Sequence, residues 1–136
     1  MIKNKIFEIN TKGNCDIIDI TSTVEKIVED SKVEEGLCVV CVKGSTIGIT
    51  TIEYEEGLIQ DFKEIFDKII PKGDYKHNKA WGDENGHSHL RASILKSSIQ
   101  IPIHEKKLWL GTWQQIVIVD FDTRPRRREV LVSILQ

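Results

Sequence analysis

The sequence predicts an α+β fold in which a mainly antiparallel sheet sandwich carries two to three helices. Segments with strand character outnumber those with helix character, and their spacing is typical of hairpins rather than of βαβ units. The chain has 136 residues, the usual size of one domain, and it contains no linker or internal repeat. We therefore expect a single compact domain over residues 1–136.

Strand signals lie mainly toward the two ends of the chain. Segments 5–10 and 15–20 are expected to pair as a hairpin through the turn at Gly13 and Asn14. The apolar run 37–42 and the segment 46–52 are expected to form a second strand pair. In the last third, alternating apolar residues predict four strands, at 98–103, 108–110, 115–121 and 129–134.

Helix signals are clearest between residues 55 and 70, where apolar residues recur at three- and four-residue steps. Pro71 ends this helix, because proline disfavours continuation. A first helix is expected from Thr21 or Ser22, as a capping residue, to about residue 31, and a short one from 88 or 89 to 95. The polar stretch 74–86, between the second and the third of these helices, is predicted to be a loop that is either functional or disordered.

Composition excludes several classes of function. The net charge of -2 argues against a general nucleic-acid binder, which usually carries a basic domain. No segment has the length and apolar character of a signal peptide or a membrane span, so we expect no membrane association and a cytoplasmic location. Three sparse cysteines agree with that location, because they make a poor disulfide framework.

The densest chemical signal is the segment 75–91, which holds His77, Asp83, His87 and His89. Imidazoles and carboxylates are the usual ligands of divalent metals, so the three histidines predict a metal site for zinc or magnesium. His87 and His89 project to one side of an extended backbone but diverge by about 200° in a helix. Joint ligation therefore requires that at least one of them precedes the helix. The alternative is a polar surface loop.

Two basic features of the sequence suit a phosphate. A helix that begins near Ser88 offers free backbone N–H groups, and Arg91 adds donors one turn later. The alternative for Arg91 is a surface ion pair. The run from Arg124 to Arg128 also binds phosphate well in principle, but such clusters are often solvated or paired with acids.

A third feature is the sequence Gly-Thr-Trp-Gln-Gln at residues 111–115, between two predicted strands. Trp113 and Gln114 place a planar wall and an amide at a strand end, where they suit a flat heterocycle. The alternative is a tight turn that carries a core tryptophan.

Four sequence blocks together resemble a known family: His77-Asn78, the run 85–93 (NGHSHLRAS), the block 111–115 (GTWQQ) and the run 120–129 (DFDTRPRRRE). They are similar to the secondary thiamine-phosphate synthase family, long catalogued only as an uncharacterised protein family. The resemblance covers nearly the whole chain. It implies a compact α+β sheet sandwich, a homotrimer and weak thiamine-phosphate synthase activity in some members.

The resemblance also implies a polar cluster that falls on six positions here: His77, Asp83, Asn85, His87, His89 and Arg91. This chain departs from the family pattern at one place. Many relatives carry a histidine before the paired threonines of the mid-chain turn, where this chain has the sequence Lys-Gly-Ser-Thr at 43–46. A site that uses that histidine is altered here.

The leading hypothesis from these signals is a transferase that joins an aminopyrimidine methyl diphosphate to a thiazole phosphate and releases pyrophosphate. In it, catalytic Asp83, His87 and His89 hold a metal or the diphosphate, neutralising its charge. Four residues are expected to bind the small phosphorylated molecule: Asn85, Arg91 at its phosphate, and Trp113 and Gln114 at its ring. The alternatives are a metal-dependent hydrolase and a non-catalytic trimeric binding protein for a small phosphorylated metabolite.

Overall fold

The computed structural model describes residues 1–136 and contains eight strands and four helices. They are β1 (Ile2–Thr11), β2 (Asp16–Asp19), α1 (Thr21–Ser31), β3 (Gly36–Val42), β4 (Ile47–Glu53), α2 (Glu56–Ile69), α3 (Lys76–Trp81), α4 (Gly86–Leu95), β5 (Ser98–His104), β6 (Lys107–Leu108), β7 (Gln114–Asp120) and β8 (Arg126–Leu135). The predicted α+β fold is confirmed. The structure has four helices, because α3 forms inside the segment predicted as a loop.

The strands form two antiparallel sheets. The five-stranded sheet has the order β1-β8-β3-β5-β6, and the three-stranded sheet has the order β2-β7-β4. Their facing sides form the main core, in which Val40 and Val132 of one sheet pack with Ile49 and Ile118 of the other. The opposite side of the three-stranded sheet forms a second core with Phe66 and other residues near α2 and α4. The layers are therefore α2 with α4, the small sheet and the large sheet, and α1 contributes Val24 and Val28 to the main core.

Both predicted strand pairs are wrong, because each of the four strands pairs with a strand other than the one expected. β1 pairs with β8 and β2 pairs with β7, so the turn at Gly13 and Asn14 passes between sheets instead of closing a hairpin. In the same way β3 pairs with β5 and β8, whereas β4 pairs with β7. The local turn signals are genuine, since Gly13 and Asn14 both have positive φ angles. A turn signal predicts a change of direction but does not identify the strand that receives the chain.

The helices match the apolar periodicity closely. α2 covers Glu56–Ile69, and the Glu55 side chain caps it by accepting the backbone N–H of Leu58. α1 begins at Thr21 as predicted, but its first turn is held by Asp19, which accepts both the N–H and the hydroxyl of Thr21. None of the four helices has the combination of length and apolar character that a membrane crossing requires.

A buried ion pair joins the two sheets where β7 ends and β8 begins. Arg128 donates from Nε to Asp120 Oδ2 at 2.8 Å and from Nη2 to Asp120 Oδ1 at 2.9 Å. The side chains of Arg128 and Asp120 are 4% and 0% exposed. Thr11 also donates to Asp120, and Arg128 donates to Thr46 Oγ1 at 2.7 Å. The pair therefore connects β1, β7, β8 and the loop before β4.

Replacement of Arg128 by Met should lower the free energy of unfolding by about 3–5 kcal/mol, because Asp120 becomes a buried carboxylate without its charged partner. Chemical denaturation of the variant measures this loss. Arg127→Met is the matched control, since Arg127 lies next to it and pairs with Glu8 in solvent. That exposed pair should contribute less than about 1 kcal/mol. Equal losses in the two variants would contradict a special role for the buried pair.

Candidate functional site

A polar cavity opens beside this ion pair, between the loop before β4, the start of α4 and the β7–β8 connection. Its volume is about 540 Å³, and no apolar side chain lines it. We call it the arginine cavity, and its lining consists of Gly44, Ser45, Thr46, Asp83, Glu84, Asn85, His89, Asp122, Thr123, Arg124, Arg126 and Arg128.

The three arginines of the cavity differ in what they bind. Arg126 donates to Asp122 at 2.7 Å, and Arg128 is held by Asp120 through Nε and Nη2. Arg124 forms no ion pair and no side-chain hydrogen bond, and Nη1 of Arg128 donates to no protein atom. The cavity thus contains the unpaired guanidinium group of Arg124 and the unpaired Nη1 atom of Arg128.

The loop 44–46 presents unpaired backbone donors on the same cavity. The N–H groups of Gly44, Ser45 and Thr46 form no hydrogen bond within the protein. Gly44 has a φ angle of +149°, and a Cβ atom there would lie 2.6 Å from Arg128 Nη1, so only glycine lets the arginine approach. Backbone N–H groups need partners, and consecutive ones suit an anion.

Asp122 is the carboxylate at the base of the cavity, with a side chain that is 2% exposed. Burial alone would raise its pKa. Hydrogen bonds from the Thr123 N–H, Asn85 and Thr46, with the charge of Arg126, instead hold the pKa of Asp122 below its ordinary value. Asn85 donates to Asp122 through Nδ2, while its buried Oδ1 has no partner. This oxygen is available to a donor on a ligand or to a cation.

His89 extends from α4 into the arginine cavity, and the ring of His77 lies against the ring of His89. The ring centroids are 4.3 Å apart, with the planes tilted by 43°. The Nδ1 atom of His77 is buried without a hydrogen-bond partner. Burial lowers the pKa of His89, and the neighbouring His77 lowers it further. His89 is therefore neutral at pH 7 and can accept a proton or bind a cation.

His87 and Arg91 lie on another side of α4. Because α4 begins at Gly86, both His87 and His89 are helical, and their side chains diverge by about 200°. Burial lowers the pKa of His87, with further lowering by Arg91. Arg91 is buried and donates to the Ile70 carbonyl at 2.9 Å and to Asp67 at 3.1 Å, which anchors α4 to α2. No three histidine, cysteine, aspartate or glutamate side chains converge in a metal-binding geometry.

Trp113 and Gln114 lie far from His89. Gln114 begins β7 and Asp120 ends it, so the two ends are roughly 20 Å apart at 3.3 Å per residue. Trp113 is 72% exposed and is not a core residue. The Gln114 amide donates to Thr51 and accepts the Gly111 N–H. Within one chain, these residues and the arginine cavity are separate.

A shallower groove of about 350 Å³ adjoins the arginine cavity and shares Gly44, Ser45 and His89 with it. Ser93, Ser97 and Ser98 line the groove together with Lys96. Lys96 has a φ angle of +81°, a conformation rare for a residue with a side chain, and it forms no ion pair. The groove therefore adds the hydroxyl groups of three serines and the unpaired ammonium group of Lys96 to the site.

Sequence reasoning did not identify Asp120, Asp122 or Gly44 as parts of the site. The available signal was the Asp-Phe-Asp sequence at the end of a strand, whose two aspartates lie four and eight residues before the arginines that pair with them. A second signal was a glycine between two predicted strands, followed by Ser and Thr. Both patterns become meaningful only when the strand partners are known.

Comparison with known proteins gives the chain a family. The family model described as UPF0047 protein YjbQ-like matches residues 5–136. A UPF0047 protein of Archaeoglobus fulgidus is 39% identical over 128 residues, which cover 93% of this chain and 97% of that protein. A UPF0047 protein of Methanothermobacter thermautotrophicus is 35% identical over 127 residues, covering 93% of this chain and 87% of that one.

Two solved structures have the same fold. A YbjQ-like protein of unknown function from Sulfolobus solfataricus superposes with a TM-score of 0.89 at 32% identity, covering 99% of both chains. An uncharacterised YjbQ/UPF0047 protein from Clostridium acetobutylicum gives a TM-score of 0.88 at 40% identity, covering 96% of this chain and 99% of that one.

These matches correct the family expected from the sequence blocks. None of the relatives described here carries thiamine-phosphate synthase in its name, and the Sulfolobus protein is described as of unknown function. The assignment to a secondary thiamine-phosphate synthase family was therefore wrong. The chain belongs to the YjbQ-like UPF0047 family.

Proposed function

We propose that the chain binds a small phosphorylated molecule, with its phosphate group in the arginine cavity. This proposal rests on one observation: unpaired hydrogen-bond donors from three places in the chain line a cavity that has no apolar side chain. They are the guanidinium of Arg124, Nη1 of Arg128 and the three backbone N–H groups of the loop 44–46. Guanidinium groups and clustered N–H groups are the donors that proteins use for phosphate.

The charges of the cavity favour an anion beside Arg124 and a cation beside Asp83 and Glu84. Asp120 neutralises Arg128 and Asp122 neutralises Arg126, so Arg124 retains an unpaired charge. Asp83 and Glu84 line the rim and are exposed. A divalent cation such as Mg²⁺ fits there, because such ions bind one or two carboxylates together with substrate phosphates.

The adjoining groove suggests where the rest of the ligand lies. Its serines and Lys96 favour a hydroxylated molecule, or one with a second acidic group, over an apolar one. Asn85 lines the cavity and has a buried Oδ1 acceptor without a hydrogen-bond partner. His87, Arg91, Trp113 and Gln114 lie outside the cavity lining, and their predicted ligand roles stay predictions.

A second candidate function is a metal-dependent hydrolase, which the contact between His77 and His89 favours. The two neighbouring imidazoles and the unpaired Nδ1 of His77 are suitable donors for zinc, so the residues fit such an ion in part. The chain supplies two donors, and further ones would come from the ligand phosphate or another subunit. When bound, zinc supplies Lewis-acid activation of water. In this function His89 holds the ion and orients the phosphate ester.

Arg124→Gln should weaken the binding of inorganic phosphate and pyrophosphate by about 10- to 100-fold, because a hydrogen bond to a charged group contributes about 1.5–3 kcal/mol. Isothermal titration calorimetry measures the two affinities. Arg127→Gln is the control, since Arg127 belongs to the same arginine run but pairs with Glu8 outside the cavity. Phosphate affinity that is absent in the unmodified protein, or equal in the two variants, would overturn the proposal.

The hydrolase function predicts a bound transition metal in protein purified without chelator. Elemental analysis should find about one ion per chain, and the His77→Ala/His89→Ala double variant should lose it. His104→Ala is the control, because His104 is exposed and pairs with Glu35. Metal content that is negligible in the unmodified protein, or unchanged in the double variant, would count against the hydrolase and leave phosphate binding intact.

A further inference from the structure

The residue that follows α4 has a backbone conformation that is unfavourable for any residue with a side chain. Lys96 has a φ angle of 81° and a ψ angle of 164°. This region of φ and ψ is occupied almost only by glycine, because a Cβ atom clashes there with the neighbouring backbone. Lysine at position 96 therefore destabilises the fold relative to glycine. Strained residues of this kind cluster at ligand-binding sites.

The surrounding backbone holds Lys96 in this conformation. Its N–H donates to the Ala92 carbonyl at 2.9 Å, and its carbonyl accepts the Ile49 N–H at 3.0 Å. The next carbonyl along the chain, that of Ser97, accepts the Val42 N–H at 2.8 Å. These three hydrogen bonds connect the end of α4 with β4 and β3 and involve no side chain. The turn therefore does not require the lysine side chain.

The Lys96 side chain lines the groove of about 350 Å³ beside the arginine cavity, and it is the only lysine, arginine or acidic residue of that lining. The lysine ion pairs of the protein involve three other residues, Lys26, Lys43 and Lys106. The ammonium group of Lys96 is therefore unpaired. Ser97 adds a backbone N–H group that also has no partner within the protein. The groove thus presents a positive charge and unpaired donors, which suit an anion.

The groove and the arginine cavity are continuous, since Gly44, Ser45 and His89 line both of them. The N–H groups of Gly44 and Ser45 have no hydrogen-bond partner within the protein. A ligand with its phosphate group at these donors can therefore extend into the groove toward Lys96. One molecule with two separate anionic groups can occupy both spaces.

We propose, resting on the phosphate site proposed for the arginine cavity, that Lys96 determines ligand specificity by binding a second anionic group of the same molecule. The ligand class is a small molecule that carries a phosphate group and, a few bonds away, a carboxylate or a second phosphate. This role explains why the chain has lysine at a position where glycine is better suited to the backbone.

Three small ligands test the role of Lys96. In 3-phosphoglycerate a carboxylate replaces the terminal alcohol of glycerol 3-phosphate, and propane-1,3-diyl bisphosphate carries a second phosphate instead. Isothermal titration calorimetry should show that at least one of the two ligands with a second anion binds the unmodified protein about 10-fold more tightly than glycerol 3-phosphate does. That ratio corresponds to about 1.4 kcal/mol. The tighter of the two identifies the anion that the groove prefers.

Lys96→Gly should lose this preference and bind all three ligands with similar affinity. The same variant should unfold at a temperature about 2–8 °C higher, because glycine relieves the backbone strain. Lys96→Arg should retain the preference, since it retains the charge. Lys32→Gly is the matched control: Lys32 also follows a helix with a positive φ angle, 63°, but it lines neither the groove nor the cavity. This control should leave the ligand preference unchanged.

Equal affinities of the unmodified protein for all three ligands would overturn the role of Lys96, and so would a preference that persists in Lys96→Gly. Both results leave phosphate binding in the arginine cavity intact. A lower unfolding temperature of Lys96→Gly would show that Lys96 is unstrained and would also contradict the inference. If neither glycerol 3-phosphate nor inorganic phosphate binds the unmodified protein, the proposed function itself fails, and the role of Lys96 fails with it.

Discussion

The contact between Asp120 and Arg128 is the constraint on which the site depends. It joins the end of β7, in the small sheet, to the start of β8, in the large one, and it is closed to solvent. Breaking one side of such a pair is costly because the remaining charge stays buried. The same arginine holds Thr46, and its Nη1 atom lies against Gly44. One interaction therefore positions both the sheets and the loop 44–46.

The polar groups of the cavity divide into satisfied and free ones. Asp120 accepts from Nε and Nη2 of Arg128, and Asp122 accepts from Nη1 of Arg126. The Thr46 hydroxyl bridges Arg128 and Asp122. The unpaired groups that face the cavity are the guanidinium of Arg124, the Nη1 atom of Arg128 and the backbone N–H groups of the loop 44–46. Donors fixed in this way need little rearrangement to bind an anion, which favours affinity.

Sequence periodicity predicted the helices well because their signals are local. The apolar positions of α2 and the proline after it define Glu56–Ile69 almost to the residue. Strand partners depend on contacts between residues more than a hundred positions apart, as in the pairing of Ile2 with Leu135. No local turn signal contains that information. The predicted hairpins failed for this reason, although most strand segments were found.

The site was predicted in part for the same reason. His77 and His89 were identified, and they lie together. The start of α4 was placed two or three residues too late, because Gly86 is fixed by a tertiary contact in which its N–H donates to Asn78 Oδ1. That shift makes His87 helical and turns it away from His89. The arginine run 124–128 was left open between phosphate binding and surface pairing, and the structure has an unpaired guanidinium at Arg124 and a paired one at Arg127.

The most direct test of the account is an amide NMR titration of the ¹⁵N-labelled protein with inorganic phosphate. Phosphate binding in the arginine cavity predicts saturable shifts that are largest at the backbone N–H groups of Gly44, Ser45 and Thr46, since these groups have no partner within the protein. Shifts that do not saturate, or that are largest at residues remote from the arginine cavity, would contradict it.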